Sequence, residues 1–248
     1  MFIDPLALPI LGVDPAELTQ PDDAQARRTQ LFVALRSRFA EDAIADAVLS
    51  GTRQVVVLGA GLDTFGYRNP HAGVLVFEVD HPDTQAWKRA RLADAGIDIP
   101  PSLIFAPTDF EHQRVEDGLM AAGFDRTRPV IFVWLGVLQY LTGEAVSATL
   151  GFVAGQNARA AVVFDYREPP STLTGQGRAE FDSRARRVAD LGEPWLTFFT
   201  PTEVADELTT IGFATVADHT GAALYTLYTG RRPRTNMRST THVVLAVR

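Results

Sequence analysis

The segment spanning residues 54–80 constrains the fold of this 248-residue chain more than any other. An apolar, β-branched run (VVVL) leads directly into the glycine turn Gly59-Ala60-Gly61, and a second apolar run ends at Asp80, about twenty residues further on. This order predicts a strand, a tight turn, the start of a helix and a second strand with a carboxylate at its tip. Such an arrangement forms a nucleoside pocket, because glycines let a ligand approach the backbone and the carboxylate accepts hydrogen bonds from ribose hydroxyls.

Two kinds of cofactor fit such a pocket, a dinucleotide and S-adenosylmethionine. The dinucleotide pattern has a third glycine three residues after the second, where this sequence has Thr64. A pyrophosphate also binds bare amides at a helix N-terminus, whereas this turn places the negative charge of Asp63 there. Because S-adenosylmethionine carries an ammonium and a sulfonium but no phosphate, these residues favour a methyltransferase. An NAD(P)-dependent oxidoreductase is the alternative.

Apolar strand candidates alternate with helix candidates along most of the chain. The predicted strands lie at about residues 54–58, 74–79, 102–106, 130–135, 160–166, 213–218 and 242–247. The predicted helices lie at about residues 22–49, 83–95, 111–122, 143–156, 178–191 and 201–211. Because strands that are apolar throughout are covered on both faces, this pattern predicts an α/β fold. We expect a Rossmann-like, doubly wound, mostly parallel seven-stranded sheet with helices on both faces and a partial helical lid, in a single domain.

Local signals set several of the expected boundaries. Residues 1–20 contain repeated prolines and are expected to be irregular. Asp22 or Asp23 is expected to cap the first long helix. Thr200, with Glu203 three residues on, is the pattern of a capping box and predicts the start of the last helix.

The composition excludes several classes of site. With 30 acidic residues against 23 basic ones, the net charge of −7 provides no broad positive field for a nucleic acid. The basic cluster formed by Arg231, Arg232, Arg234 and Arg238 is interpreted as a solvated loop. The chain has no cysteine, which excludes disulfides, thiolate–metal sites and a cysteine nucleophile.

The sequence gives no sign of a membrane segment or a metal site. Its longest apolar run, residues 130–138, is too short to cross a bilayer, and its N-terminus lacks the basic region of a signal peptide. Neither histidines nor carboxylates recur at the spacing of metal ligands. We therefore expect a cytoplasmic protein with no metal, no membrane partner and no nucleic-acid partner. The oligomeric state is left open.

Seven segments, taken in order, resemble the leucine carboxyl methyltransferase family and most closely its bacterial branch. They are FIDPLALPILG (2–12), RSRFAEDAI (36–44), VVVLGAGLDTFGYR (55–68), FEVDHP (77–82), TDF (108–110), WLGVLQYLT (134–142) and GEPWLTFF (192–199). The glycine turn together with EVD is the most specific pair. The resemblance implies one class I S-adenosylmethionine-dependent methyltransferase domain over residues 1–248.

The resemblance also implies roles for residues around the glycine turn. Arg36, in competition with Arg38, would pair with the carboxylate of the cofactor, since a guanidinium can hold a carboxylate through two parallel bonds. The turn residues would lie along the methionine portion, with Asp63 near its ammonium. Asp80 would hold the ribose hydroxyls.

Further roles fall on residues after the second, third and fourth strands. Asp109 and Phe110 match an Asp-Leu pair that contacts the adenine in the family. Asp109 would accept a hydrogen bond from the exocyclic amine, and Phe110 would pack on the adenine ring. His81 is expected near the adenosine. Many relatives have a Glu-Gly pair after the fourth strand, where this chain has Leu135-Gly136, so only a backbone contact from Leu135 is expected.

The acceptor is less well defined than the cofactor. The resemblance implies O-methylation of a carboxyl or hydroxyl group on a small molecule or peptide; a carboxylate needs no general base, and no catalytic residue is indicated. Lid or substrate-facing segments are expected at about residues 1–35 and 167–200. Tyr140 and Trp195 would face the acceptor, although packing of the lid on the core also explains Trp195. Relatives often carry a further helical segment before the DPLA stretch, and its absence leaves open a cofactor-binding protein without catalytic activity.

Overall fold

The computed structural model describes residues 2–14, 16, 24–110, 112–233 and 240–248, with the side chains of residues 24 and 25 excepted. The chain separates into two compact units, Met1–Val133 with Gln156–Ala160 and Trp134–Gly155 with Ala161–Arg248. The single-domain organisation stays a prediction. Among the described residues, no helix combines the length and the apolar character needed to cross a membrane.

The predicted seven-stranded sheet is confirmed. Its strands are β1 (Gln54–Leu58), β2 (Leu75–Asp80), β3 (Leu103–Pro107), β4 (Val130–Trp134), β5 (Ala160–Arg167), β6 (Thr215–Thr220) and β7 (Thr241–Val247). Their order in the sheet is β3-β2-β1-β4-β5-β7-β6. β1 is parallel to β2 and β4, and β2 is parallel to β3, whereas β7 is antiparallel to both β5 and β6.

Nine helices and two short 3₁₀ turns appear among the described residues. The helices are α1 (Ala7–Leu11), α2 (Ala24–Leu49), α3 (Phe65–Arg68), α4 (Pro82–Asp94), α5 (Val115–Ala121), α6 (Gly143–Ala154), α7 (Gly175–Asp190), α8 (Pro201–Thr210) and α9 (Gly221–Thr229). The 3₁₀ turns are Leu138–Tyr140 and Pro170–Thr172. The capping box of α8 is confirmed, since Thr200 accepts from the Glu203 amide and Glu203 accepts from the Thr200 amide. Four predicted residues, Asp22, Asp23, Arg234 and Arg238, lie outside the described part of the chain.

Two helices contradict the sequence-based expectations. α1 forms inside the segment expected to be irregular. Pro9 lies in its first turn, where the missing amide hydrogen breaks no intrahelical hydrogen bond, and burial of Ile10 stabilises the helix against the rest of the unit. Gly12 ends it in the left-handed conformation. α9 was not predicted either, although Thr220 caps its first turn and Gly230 ends it.

The first unit is built around fully buried strands. Every residue of β1 is buried, as is every residue of β4, so both strands lie within the sheet and are covered on both faces. Phe77 and Phe124 meet edge to face with ring centroids 5.6 Å apart, and α1 packs against α4. Because β1, β2 and β3 are parallel, their carboxyl ends lie together at one edge of the sheet.

The second unit has one buried and one exposed strand beside β7. β5 is buried up to its last residue, Arg167, whereas β6 has three exposed residues among its six. The exposure of β6 agrees with its place at the end of the strand order, where it forms an edge of the sheet. α7, within the predicted lid segment, has no buried residue.

Candidate cofactor site

The glycine turn leaves β1 and folds back over the end of β2. Gly59 and Gly61 have φ angles of 62° and 44°, the left-handed region that glycine occupies without strain. The amides of Gly59 and Ala60 both donate to the Val79 carbonyl, at 2.8 and 3.2 Å. A Cβ at Gly61 would have only the Gly59 carbonyl oxygen near it, at 4.0 Å, so the space beside the turn is open to a ligand.

Asp80 turns its carboxylate onto the glycine turn. Its Oδ2 accepts a hydrogen bond from the Gly61 amide at 2.5 Å, and its Oδ1 accepts one from the His81 amide at 2.7 Å. A carboxylate has about four acceptor positions, so about two remain after these bonds. The half-exposed Asp80 side chain therefore has the capacity to accept from the two hydroxyls of a ribose.

The amides of the turn are already used within the protein. Besides those of Gly59, Ala60 and Gly61, the Asp63 amide donates to the Ala60 carbonyl at 2.7 Å, and the Phe65 amide donates to Asp63 Oδ1 at 2.7 Å. The helix that follows, α3, is only four residues long. A pyrophosphate needs free amides at a helix N-terminus, so this turn offers it little.

Thr64 fills the position of the third glycine for a structural reason. Its buried hydroxyl donates to Asp4 Oδ2 at 2.6 Å and accepts from Arg68 Nε at 2.9 Å. Arg68 also lies 3.4 Å from Asp4 Oδ1 and donates to Glu41 at 2.5 Å. The N-terminal DPLA segment is thus tied to the glycine turn through Asp4, a residue that the sequence reasoning did not single out.

His81 and Asp109 lie near each other at the ends of β2 and β3. The Thr108 amide donates to the Asp80 carbonyl at 2.8 Å, which holds the two strand ends together. His81 caps α4 by accepting from the Asp83 amide through Nδ1, and its Nε2 lies 3.9 Å from Asp109 Oδ2. Asp109 also contacts His112 Nδ1 at 2.8 Å. The structure therefore groups Gly61, Asp80, His81 and Asp109, while their roles at a nucleoside stay predictions.

The remaining cofactor-binding candidates of the first unit are Arg36 and Arg38 on α2 and Phe110 after β3. Arg38 Nε donates a hydrogen bond to Asp42 Oδ1 on its own helix at 2.8 Å, and the choice between Arg36 and Arg38 for a ligand carboxylate stays a prediction. The Arg36 guanidinium lies 6.0 Å from the centre of the Phe32 ring. Phe110 is half-buried just beyond β3.

A buried ion pair lies beneath the turn. Lys88 Nζ on α4 donates to Glu78 Oε1 on β2 at 2.8 Å and to the Asp63 carbonyl at 2.7 Å. The Tyr67 hydroxyl donates to the other Glu78 oxygen at 3.2 Å. Burial raises the pKa of Glu78 to about 7, against the opposing effect of the Lys88 ammonium. The sequence reasoning missed this pair.

Leu135, Tyr140 and Trp195 belong to the second unit. Leu135 is half-buried directly after β4, and Tyr140 ends the first 3₁₀ turn. Segment 192–199 is joined to that turn, since the Leu196 amide donates to the Gln139 carbonyl at 2.7 Å.

The Trp195 ring is enclosed by its own unit. Its centre lies 5.2 Å from that of Phe181 on α7 and 4.5 Å from the Arg167 guanidinium at the end of β5. These contacts correspond to packing of the predicted lid on the strand end. An acceptor-facing role for Trp195 or Tyr140 stays a prediction.

The second unit also contains a histidine held between two carboxylates. His242 Nδ1 lies 2.8 Å from Asp218 Oδ1, and its Nε2 lies 3.1 Å from Glu168 Oε1. Tyr166 donates to Asp218 Oδ2 at 2.6 Å and stacks on the imidazole with ring centroids 4.8 Å apart. Burial lowers the pKa of His242, but the hydrogen bonds and charges of Asp218 and Glu168 outweigh it, so the net pKa is raised. The sequence reasoning did not identify this cluster.

A family model described as leucine carboxyl methyltransferase matches residues 3–154, more than half of the chain. The chain belongs to the leucine carboxyl methyltransferase family. A relative in Mycolicibacterium vanbaalenii, provisionally named an S-adenosyl-L-methionine-dependent methyltransferase, is 32% identical over 88% of this chain and 79% of its own length. YktD of Bacillus subtilis, with the same provisional name, is 34% identical over 71% of this chain and 59% of its own length. This leucine carboxyl methyltransferase family member thus spans little more than half of YktD.

A solved structure with the same fold is magnesium protoporphyrin IX methyltransferase (ChlM) from Synechocystis PCC 6803 with bound SAH. The likeness covers 93% of this family member and 89% of that chain, with a TM-score of 0.55 and 14% identity. At this identity the likeness concerns the fold alone, and it agrees with the class I methyltransferase architecture expected from the sequence.

Proposed function

We propose that this protein is an S-adenosylmethionine-dependent methyltransferase that methylates a carboxyl or hydroxyl oxygen on a small molecule or peptide. The observation that carries the proposal is the Asp80 carboxylate, which is fixed on the Gly61 amide and has acceptor positions left for a ribose. Membership of the family and the provisional names of the two relatives support the same cofactor. The bound SAH in the ChlM structure is consistent with it.

The residues present suit this cofactor better than a dinucleotide. A methionine portion has no phosphate, and the amides of residues 59–61 and 63 are already used within the protein. Asp80 would hold the ribose and Arg36 the cofactor carboxylate, while Asp109 and Phe110 would contact the adenine. The NAD(P)-dependent oxidoreductase is therefore the weaker candidate, since a pyrophosphate would find few free donors at the turn.

For methyl transfer, the main tasks of the protein are to bind the cofactor and the acceptor and to orient them. When bound, S-adenosylmethionine would supply a methyl group on a positively charged sulfonium, whose sulfur would depart as a neutral thioether, a good leaving group. Alignment of the acceptor oxygen with that methyl group and exclusion of water would then account for most of the rate enhancement. A carboxylate acceptor is already ionised at neutral pH, whereas an alcohol or phenol needs a base.

Transfer of a labelled methyl group from S-adenosylmethionine to a panel of carboxylic acids and phenols tests the proposal. We expect label in at least one acceptor class. Above the pKa of about 7 of Glu78, the rate with a carboxylate acceptor should change little between about pH 8 and pH 10, whereas with a phenol it should rise toward the acceptor's pKa of about 10. Binding of S-adenosylhomocysteine without methyl transfer to either class would instead favour a cofactor-binding protein without catalytic activity.

A further inference from the structure

Lys88 is the only lysine of the chain; every other one of its 23 basic residues is an arginine. Its side chain and that of Glu78 are each only 1% exposed. Removing two charges from water is costly, and a buried ion pair is often no more stabilising than apolar residues of similar volume. Core stability alone is therefore a weak explanation for a lysine at this position.

The contacts of Lys88 point to the glycine turn instead. Its ammonium donates to the Asp63 carbonyl as well as to Glu78, and it lies 5.1 Å from the centre of the Tyr67 ring. Asp63 closes the turn by donating its amide to the Ala60 carbonyl at 2.7 Å. One compact cation thus joins the far side of the turn to β2, the strand that carries Asp80.

Glu78 is placed to hold that cation in position. It precedes Asp80 by two residues on the same strand, so both side chains leave β2 on the same face. Gln85 donates to the Glu78 carbonyl at 2.8 Å, and Tyr67 holds the second carboxylate oxygen. Both sides of the pair are therefore fixed, one on the strand and one on α4.

We propose that Lys88 and Glu78 are positioning residues for the cofactor, which act by holding the Asp63 carbonyl and so the turn that faces Asp80. The part that concerns the cofactor rests on the proposed function. A lysine suits the task better than an arginine, because its ammonium is a compact point charge with three donors, whereas a guanidinium is a larger planar fork.

Three variants separate this role from a purely structural one. Lys88→Met and Glu78→Gln each remove one charge of the buried ion pair and leave the other without its charge partner, so both should lower the urea midpoint and weaken S-adenosylhomocysteine binding at least about tenfold. The double variant leaves neither charge unpaired, so its urea midpoint should return toward that of the wild type. Its affinity should nevertheless stay at least about tenfold weaker, because the bond to the Asp63 carbonyl is still missing.

Two further variants sharpen the comparison. Lys88→Arg keeps the charge but should not restore the affinity, because the guanidinium does not reproduce the compact donor geometry. Arg89→Met removes one positive charge from the next, exposed position of α4 and should bind S-adenosylhomocysteine as the wild type does.

Calorimetry, urea denaturation and amide hydrogen exchange at residues 59–64 provide the readouts. Faster exchange of these amides in the folded double variant, together with lost affinity, would support positioning. Recovery of both the urea midpoint and the affinity in the double variant would overturn it, as would wild-type affinity in Lys88→Met. If the wild type itself bound no S-adenosylhomocysteine, the proposed function would fail, and the exchange of the turn amides would still decide whether Lys88 holds the turn.

Discussion

Asp80→Asn should weaken S-adenosylhomocysteine binding by about 5- to 150-fold, which corresponds to about 1 to 3 kcal/mol. The carboxylate oxygens accept from the amides of Gly61 and His81 and keep acceptor positions for a ribose. Asparagine has one acceptor oxygen and an amide group that only donates, so it cannot serve both the backbone and two hydroxyls. Isothermal titration calorimetry of the two proteins gives the ratio of dissociation constants directly.

Asp94→Asn is the matched control for this comparison. Asp94 is exposed at the end of α4, and its replacement changes the net charge by the same amount. We expect it to bind S-adenosylhomocysteine as the wild type does. If Asp80→Asn also kept wild-type affinity, the carboxylate at the tip of β2 would not hold the ligand, and the role assigned to it would be wrong.

His242→Gln should destabilise the folded protein by about 3 kcal/mol at pH 6, because it leaves the carboxylates of Asp218 and Glu168 without a shared cation. The pH dependence follows from the raised pKa of His242. When the pKa of a histidine is higher in the folded protein than in the unfolded chain, its charge stabilises the fold fully at pH values below the unfolded pKa. This stabilisation is lost as the pH rises through the folded pKa. The variant should therefore lose less stability at pH 9 than at pH 6.

Urea denaturation at the two pH values measures both parts of this prediction. Asp218 on β6 and Glu168 after β5 face the two nitrogens of His242, while the Tyr166 ring on β5 stacks on the imidazole and its hydroxyl donates a hydrogen bond to Asp218. His71→Gln, at a half-buried histidine of the first unit, serves as the control and should change the unfolding free energy little. An equal loss at both pH values would show that folding does not raise the pKa of His242.

The strands and the glycine turn could be predicted because their signals are local. β1 contains a continuous apolar run that is followed by the glycine turn, and the Asp80 carboxylate ends β2 at the expected distance. α1 was missed because prolines near a helix start are compatible with helix, and the burial of Ile10 that stabilises it depends on tertiary packing.

The two polar clusters lie beyond what spacing along the chain can predict. His242 meets Tyr166 only through the antiparallel register of β5 and β7, and Glu78 meets Lys88 only once α4 packs on β2. One signal was available, since a single lysine in a chain rich in arginine marks a position that requires that particular cation. Its partner could not have been identified before the fold was known.

Calorimetry of the wild-type protein with S-adenosylhomocysteine and, separately, with NADH and NADPH shows which cofactor the pocket beside the glycine turn binds. We predict saturable binding of one S-adenosylhomocysteine per chain, with a dissociation constant well below about 1 mM, and no saturable binding of either dinucleotide. Saturable binding of NADH or NADPH, with no heat from S-adenosylhomocysteine at about 1 mM, would contradict it.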